Sequence, residues 1–320
     1  MDASGGPGAA AGKKRSKAIT LELSLFSVSY AGLWGQHRLD LPDFIAKAAE
    51  LGYSSVMLMG KRPHLAPLDA DDAAIDAIRN CFIQHRVKCG AVAGYTDFSP
   101  QHAAEVPFAE MQFEYVRSLA RFASALDASV VRVFTAYENP STAPAAAWNL
   151  VVSSLRECAD RAADFGITLA VQNHHDVAVD SGALLELLGD VDRPNVKLAF
   201  DAWSPALRGE DLFEAARKMA PYTSITTNAD YIRMPRYRYR SELVNYERLL
   251  PDMVRAVQFG DGFIDYRAFF AGLIEGGFDG LANYEMCSPI RGGGSLENLD
   301  GYTRGYLQWM REHVRSRGPR

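Results

Sequence analysis

One feature constrains this chain more than any other: from Leu21 onward, short apolar runs alternate with longer segments whose apolar residues recur near every 3.6 positions. That alternation is the mark of βα units laid on a parallel sheet. Eight strand-like runs can be counted, at residues 22–29, 54–59, 88–93, 129–134, 167–173, 195–201, 222–228 and 280–285. Helical spacing follows at 41–51, 71–85, 108–126, 143–165, 182–188, 211–219, 266–275 and 296–313. Gly52, Gly166 and Gly276 close three of these segments where a left-handed cap is expected. Eight such pairs, with no Gly-x-Gly-x-x-Gly after the first strand, predict an α/β fold. They favour a single (β/α)8 TIM barrel over a doubly wound sheet. No linker divides the chain, so residues 19–320 are read as one barrel domain.

The seventh connection breaks the pattern. Residues 230–265 form a predicted long loop after strand seven, where Arg233, Arg236, Arg238, Arg240, Arg248 and Arg255 interleave with Tyr231, Tyr237, Tyr239 and Tyr246. Loops of this length act as lids or binding loops, and Arg with Tyr can grip an anion or an aromatic group. The same residue types build subunit contacts, so a homo-oligomer is also expected.

Charge and cysteine usage exclude other classes. The chain carries 34 Lys and Arg against 39 Asp and Glu, for a net charge of -5. Lys13, Lys14, Arg15 and Lys17 sit in the first eighteen residues with only Asp2, which leaves an even more acidic body. Such a body lacks the basic face that nucleic acid requires. Residues 1–18 are small and polar, without the apolar core of a secretory signal, and are read as a disordered tail. No run approaches the roughly 18 apolar residues of a membrane span. Cys81, Cys89, Cys158 and Cys287 include no C-x-x-C pair, so free thiols in a cytoplasmic protein are expected.

The site of a parallel barrel lies at the C-terminal ends of its strands. Polar residues gather there. Asp201 and Glu285 close the apolar runs LAFD and LANYE, and a carboxylate so placed needs a cation or strong donors to offset its desolvation. A divalent ion held by Asp201, Glu285 and the side-chain carbonyl of Gln172 or Asn228 would be Mn²⁺ or Mg²⁺, given oxygen ligands. Arg132 is the competing partner.

With those residues in view, the chain resembles the xylose isomerase-like barrel superfamily of sugar-phosphate isomerases and epimerases, tagatose and psicose epimerases and AP endonuclease family 2 enzymes. The resemblance runs from about Leu21 to His313. It rests on LAVQNHH, KLAFD, GDGFIDYRAFFAGLIEGGFDGLANYE and the helix after CSPIRGGGSLENL. It implies a metal held by Glu, Asp, His and Glu at the ends of strands five to eight. Asp201 and Glu285 match. Gln172 stands in the first Glu position, and the strand-seven stretch Ile225-Thr226-Thr227-Asn228 holds no His. Gln cannot accept a proton, so the paired-Glu epimerase scheme does not transfer as written.

His174 and His175 are the substitutes, and if strand geometry persists only His174 shares the side of Gln172. His174 is therefore expected as the base, with Glu285 as its catalytic partner. Lys61, Arg62, His64, Arg132, Trp203 and Arg291 are expected to bind substrate, with the backbone of Gly292-Gly293-Gly294 close to an anionic group. The expected function is a metal-dependent sugar isomerase or epimerase that abstracts a proton next to a carbonyl. A lyase that eliminates from 3-keto-glycosides remains open, because the chain also resembles the catalytic subunit of C-glycoside deglycosidases, which implies a small partner subunit. A non-catalytic sugar-binding barrel is the alternative from another class. An AP endonuclease would need three clustered metals and more ligands than the strand ends supply.

Overall fold

The computed structural model describes residues 21–99 and 105–314, so the predicted tail lies outside the described residues. Eight parallel strands close a barrel: β1 (Glu22–Phe26), β2 (Ser55–Met59), β3 (Lys88–Ala93), β4 (Val130–Val133), β5 (Thr168–Gln172), β6 (Val196–Ala199), β7 (Thr223–Asn228) and, after an excursion, β10 (Leu281–Tyr284). β10 pairs with both β1 and β7, which completes the ring. The outer helices are α1 (Leu41–Glu50), α2 (Asp72–His85), α3 (Phe108–Ala125), α4 (Pro144–Ala163), α5 (Ser181–Val191), α7 (Leu212–Met219), α8 (Tyr266–Glu275) and α9 (Leu296–His313). Five begin on an aspartate whose carboxylate accepts a first-turn N–H: Asp40, Asp71, Asp180, Asp211 and Asp265. Caps of this kind contribute about 1 kcal/mol each and fix where the helix starts.

Successive strand residues face opposite ways, and the two faces build two cores. Leu25, Val56, Leu58, Val92, Val131, Val133, Leu169, Val171 and Leu198 point outward under the helices. Phe26, Met57, Met59, Ala91, Ala93, Val130, Ala170, Ala199 and Ile225 fill the interior, which is packed rather than open. The four alanines among them leave space that Arg132, only 2% exposed, enters from β4.

Three features differ from the sequence reading. β1 stops at Phe26, and residues Ser27–Tyr30 turn as a 3-10 helix. The Ser27 and Ser29 hydroxyls there accept the N–H groups of Met59 and Met286 and tie the ends of three strands together. A short helix, α6 (Trp203–Arg208), follows directly after Asp201. The predicted long loop after β7 is not a loop: it is an antiparallel hairpin of β8 (Asp230–Arg240) and β9 (Asn245–Val257). Its sequence carries the reason, because Arg236-Tyr237-Arg238-Tyr239-Arg240 alternates with a period of two and places arginines on one face and tyrosines on the other. Tyr246 packs on Tyr239 at 5.2 Å across the strands.

Asp230 anchors the base of this hairpin. Its buried carboxylate accepts the N–H groups of Tyr231, Gly260 and Gly262, each at 2.9 Å. Glycine is required at position 262, since a β-carbon there would collide with that carboxylate. Gly260 also takes a left-handed φ of 97°.

Candidate active site

The ends of the strands enclose a cavity of about 410 Å³. Seven of the predicted residues line it: Lys61, Arg132, Gln172, His174, Asp201, Trp203 and Glu285. Residues spaced by two along each strand reach the same side, which is why Lys61 follows Met59, Asp201 follows Ala199 and Glu285 follows Asn283 into the interior.

Asp201 is almost completely buried. Gln172 donates its side-chain N–H to Asp201 Oδ2 at 2.6 Å, and the Trp203 N–H reaches Oδ1 at 3.2 Å. Burial pushes the Asp201 carboxyl up to about 7, with the charge of Glu285 adding to the rise and the Gln172 and backbone donors opposing it. Burial also raises Glu285, while the Cys287 thiol bonded to it and the charge of Arg132 pull the other way. Two carboxyl groups that feel one another in a dry site ionise in sequence, not together. The charge of Arg132 acts on Glu285 and favours its ionised form, whereas Asp201 feels the charge of Glu285, which favours its protonated form.

His174 differs from its expected role. Its Nδ1 accepts the His175 backbone N–H at 2.7 Å, so in the neutral ring the proton sits on Nε2. Burial lowers its pKa to about 3, with His175 and Arg132 adding to the fall. The ring is a neutral hydrogen-bond donor, and a weak base. His175 enters the cavity as well, contrary to the period-two expectation, because the chain leaves strand geometry after Gln172 and His175 turns to a φ of 66°. It stacks on Tyr137 at 3.9 Å.

Arg132 and Lys61 occupy the opposite wall. The Arg132 guanidinium lies 4.0 Å from the Phe134 ring centre and 4.9 Å from that of Tyr95, and Lys61 Nζ lies 3.9 Å from Tyr95. Among the described residues neither forms an ion pair.

Four predicted site residues lie elsewhere. Asn228 faces the helices, where it donates to the Asn283 carbonyl at 2.9 Å; the neighbouring Thr227 is the one that lines the cavity. A difference of one residue reverses the face. Arg62 is exposed and pairs with Asp69, with Nε to Oδ2 at 2.6 Å. His64 is buried between the Ser27 hydroxyl at 3.0 Å and the Leu39 carbonyl at 3.1 Å, a structural pin whose burial lowers its pKa to about 4. Arg291 is exposed outside the cavity. Of the glycines after it, Gly292 and Gly293 take left-handed φ values of 87° and 90°, and a β-carbon on Gly294 would collide with the Gly35 carbonyl.

Of the expected metal ligands, Asp201 and Glu285 are present, but the other two positions offer only neutral oxygens, the carbonyl of Gln172, whose amide N–H is bonded to Asp201, and the hydroxyl of Thr227. Among the described residues no three His, Cys, Asp or Glu side chains come together as a metal cluster. Two cations share the cavity and would repel a third. This donor set does not fit a divalent ion.

Several lining residues escaped the sequence reading. Cys287 sits two positions beyond Glu285, and Trp34 comes from the turn after β1. Strand parity gives a signal for the first; nothing local gives one for the second.

Fold and site together define a class, a parallel barrel with acid–base and cationic groups at its C-terminal mouth. The chain belongs to the xylose isomerase-like TIM barrel family, whose profile matches residues 45–313. Its structure is similar to the D-psicose 3-epimerase of Clostridium cellulolyticum H10, at 15% identity and a TM-score of 0.72 over 92% of this chain and 99% of that one. It is also similar to the probable 3-DHS dehydratase AsbF of Bacillus anthracis, at 16% identity and a TM-score of 0.68 over 91% and 99%. A third likeness is to the D-allulose 3-epimerase of a Methylomonas species, at 16% identity and a TM-score of 0.67 over 92% and 97%. Likeness at such identity shows the fold. No curated protein matches the chain in sequence. No helix among the described residues is long and apolar enough to cross a membrane.

Proposed function

We propose that the protein is a sugar isomerase or epimerase that moves a proton at a carbon next to a carbonyl. The observation that carries this reading is the pair Asp201 and Glu285, two buried carboxyl groups on one cavity whose pKa values are both raised. Glu285 is the base that takes the proton. Protonated Asp201 is the acid that supplies one, and with a pKa of about 7 about half of it carries that proton at neutral pH. His174 donates from Nε2 to the oxygen that gains negative charge, and Arg132 and Lys61 add their field to it. No step in this scheme passes through a metal.

The epimerases among the structural relatives support the same class of reaction. Elimination is the second reading, and a specific observation favours it: Phe134, Tyr137, His175 and Trp203 give the cavity an aromatic wall suited to an aglycone. Both readings begin with the same proton abstraction.

The test is solvent-deuterium incorporation into a panel of ketoses, aldoses and 3-keto-glucosides, followed by mass spectrometry. Exchange that disappears in Glu285→Gln supports the proposal, and release of an aglycone assigns elimination. Binding with no exchange by any panel member would contradict it and leave a sugar-binding barrel.

A further inference from the structure

The cationic wall has a property that proton transfer alone does not require. Arg132 is 2% exposed, yet its Nη1 finds only the Gly94 carbonyl at 3.0 Å and its Nε finds no partner. A buried guanidinium is costly unless its charge and its donors are matched, and proteins normally match it with a carboxylate. Here aromatic faces do that work instead. Phe134 and Tyr95 hold the guanidinium, and Tyr95 also holds the ammonium of Lys61. Ring faces attract a cation without neutralising it, so the positive field remains in the cavity.

The nearby acids do not cancel that field. Glu285 feels Arg132 but lies beyond ion-pair distance, and it is the base of the proposed reaction. Asp97, the third carboxylate on the cavity, accepts the N–H groups of Ser99 at 2.9 Å and Tyr137 at 3.4 Å, and acts on His175. Two cations held open toward one cavity are a receptor for an anion.

We propose that Arg132 and Lys61 form a carboxylate-binding subsite, so that the substrate is an acidic sugar derivative, with the carboxylate seated on the wall opposite Asp201. This rests on the reading of the cavity as the active site. A planar monoanion suits a flat guanidinium and a single ammonium between aromatic rings. A phosphate dianion would call for more donors, such as the backbone N–H groups of a glycine nest, and none of the lining residues is a glycine.

Isothermal titration tests the subsite with D-glucuronate, D-galacturonate and D-gluconate against D-glucose and D-glucose 6-phosphate. At least one carboxylate is expected to bind tenfold or more tightly than both glucose and its phosphate. Lys61→Met lies at the half-buried edge and should reduce that preference to about threefold with little change for glucose. Arg132→Met should abolish the preference; if it does not fold, as circular dichroism would report, Lys61→Met carries the test. Equal affinity for acid and neutral sugars, a preference for the phosphate, no carboxylate binding, or a preference that survives both substitutions would each overturn the proposal. Tight carboxylate binding without deuterium exchange would retain the subsite and remove the proton-transfer reading.

Discussion

The two walls of the cavity solve the problem of buried charge in opposite ways. On the wall from β5, β6 and β10, desolvation of the carboxyl groups of Asp201 and Glu285 raises both pKa values, and Asp201 is the one that carries a proton into the neutral range. On the wall from β2 to β4, Lys61 and Arg132 lie against aromatic faces, with burial lowering the pKa of Lys61 and Arg132 adding to the fall. The first wall can exchange a proton near neutral pH through Asp201, and the second supplies positive charge. The contrast teaches that positive charge is built into this site by the barrel's own side chains.

The comparison can be broken first at Glu285. Glu285→Gln removes the base and is expected to lower exchange about 10³-fold, read as the rate of deuterium incorporation. Asp201→Asn keeps the hydrogen-bonding shape but cannot release a proton, and about 10²-fold should be lost. If both substitutions cost less than tenfold, the carboxyl wall does not perform the chemistry.

The pH dependence sharpens the same point. Exchange should fall as pH rises through about 7, because Asp201 then loses the proton it must supply. Stability should move in the same direction. A folded-state pKa above the ordinary carboxylate value means that the folded protein binds more protons than the unfolded chain, so stability is full at low pH and declines as pH rises through about 7. Asp201→Asn should therefore raise Tm at pH 8, by the equivalent of about 2 to 4 kcal/mol, and change it little at pH 4. A thermal melt at the two pH values decides this.

His174→Gln retains a donor and should cost about tenfold, far less than loss of a base. The smallest effects belong outside the cavity: Arg62→Ala and Arg291→Ala should leave exchange within about twofold of wild type, since surface ion pairs and exposed arginines contribute little.

Much of this organisation was legible in the chain. All eight barrel strands and their helices follow from apolar periodicity, and Asp201 and Glu285 stand out because each ends an apolar strand. What the sequence hides depends on where strands stop. Thr227 and Asn228 differ by one residue, and only the register of β7 against β10 shows which faces the cavity. His175 joins His174 because the chain turns left-handed after β5. The hairpin did carry a signal, the alternation of Arg and Tyr, but its length and charge resemble those of a loop. The partners of Arg62 and His64 are contacts between separate segments that no local pattern reveals.

The central claim is that this barrel moves a proton with two carboxyl groups and two resident cations, without a divalent ion. Deuterium incorporation measured before and after the protein is stripped of metal by a chelator tests it most directly. The account predicts the same exchange rate in both samples. Loss of exchange on stripping, with recovery on addition of Mn²⁺ or Mg²⁺, would contradict it.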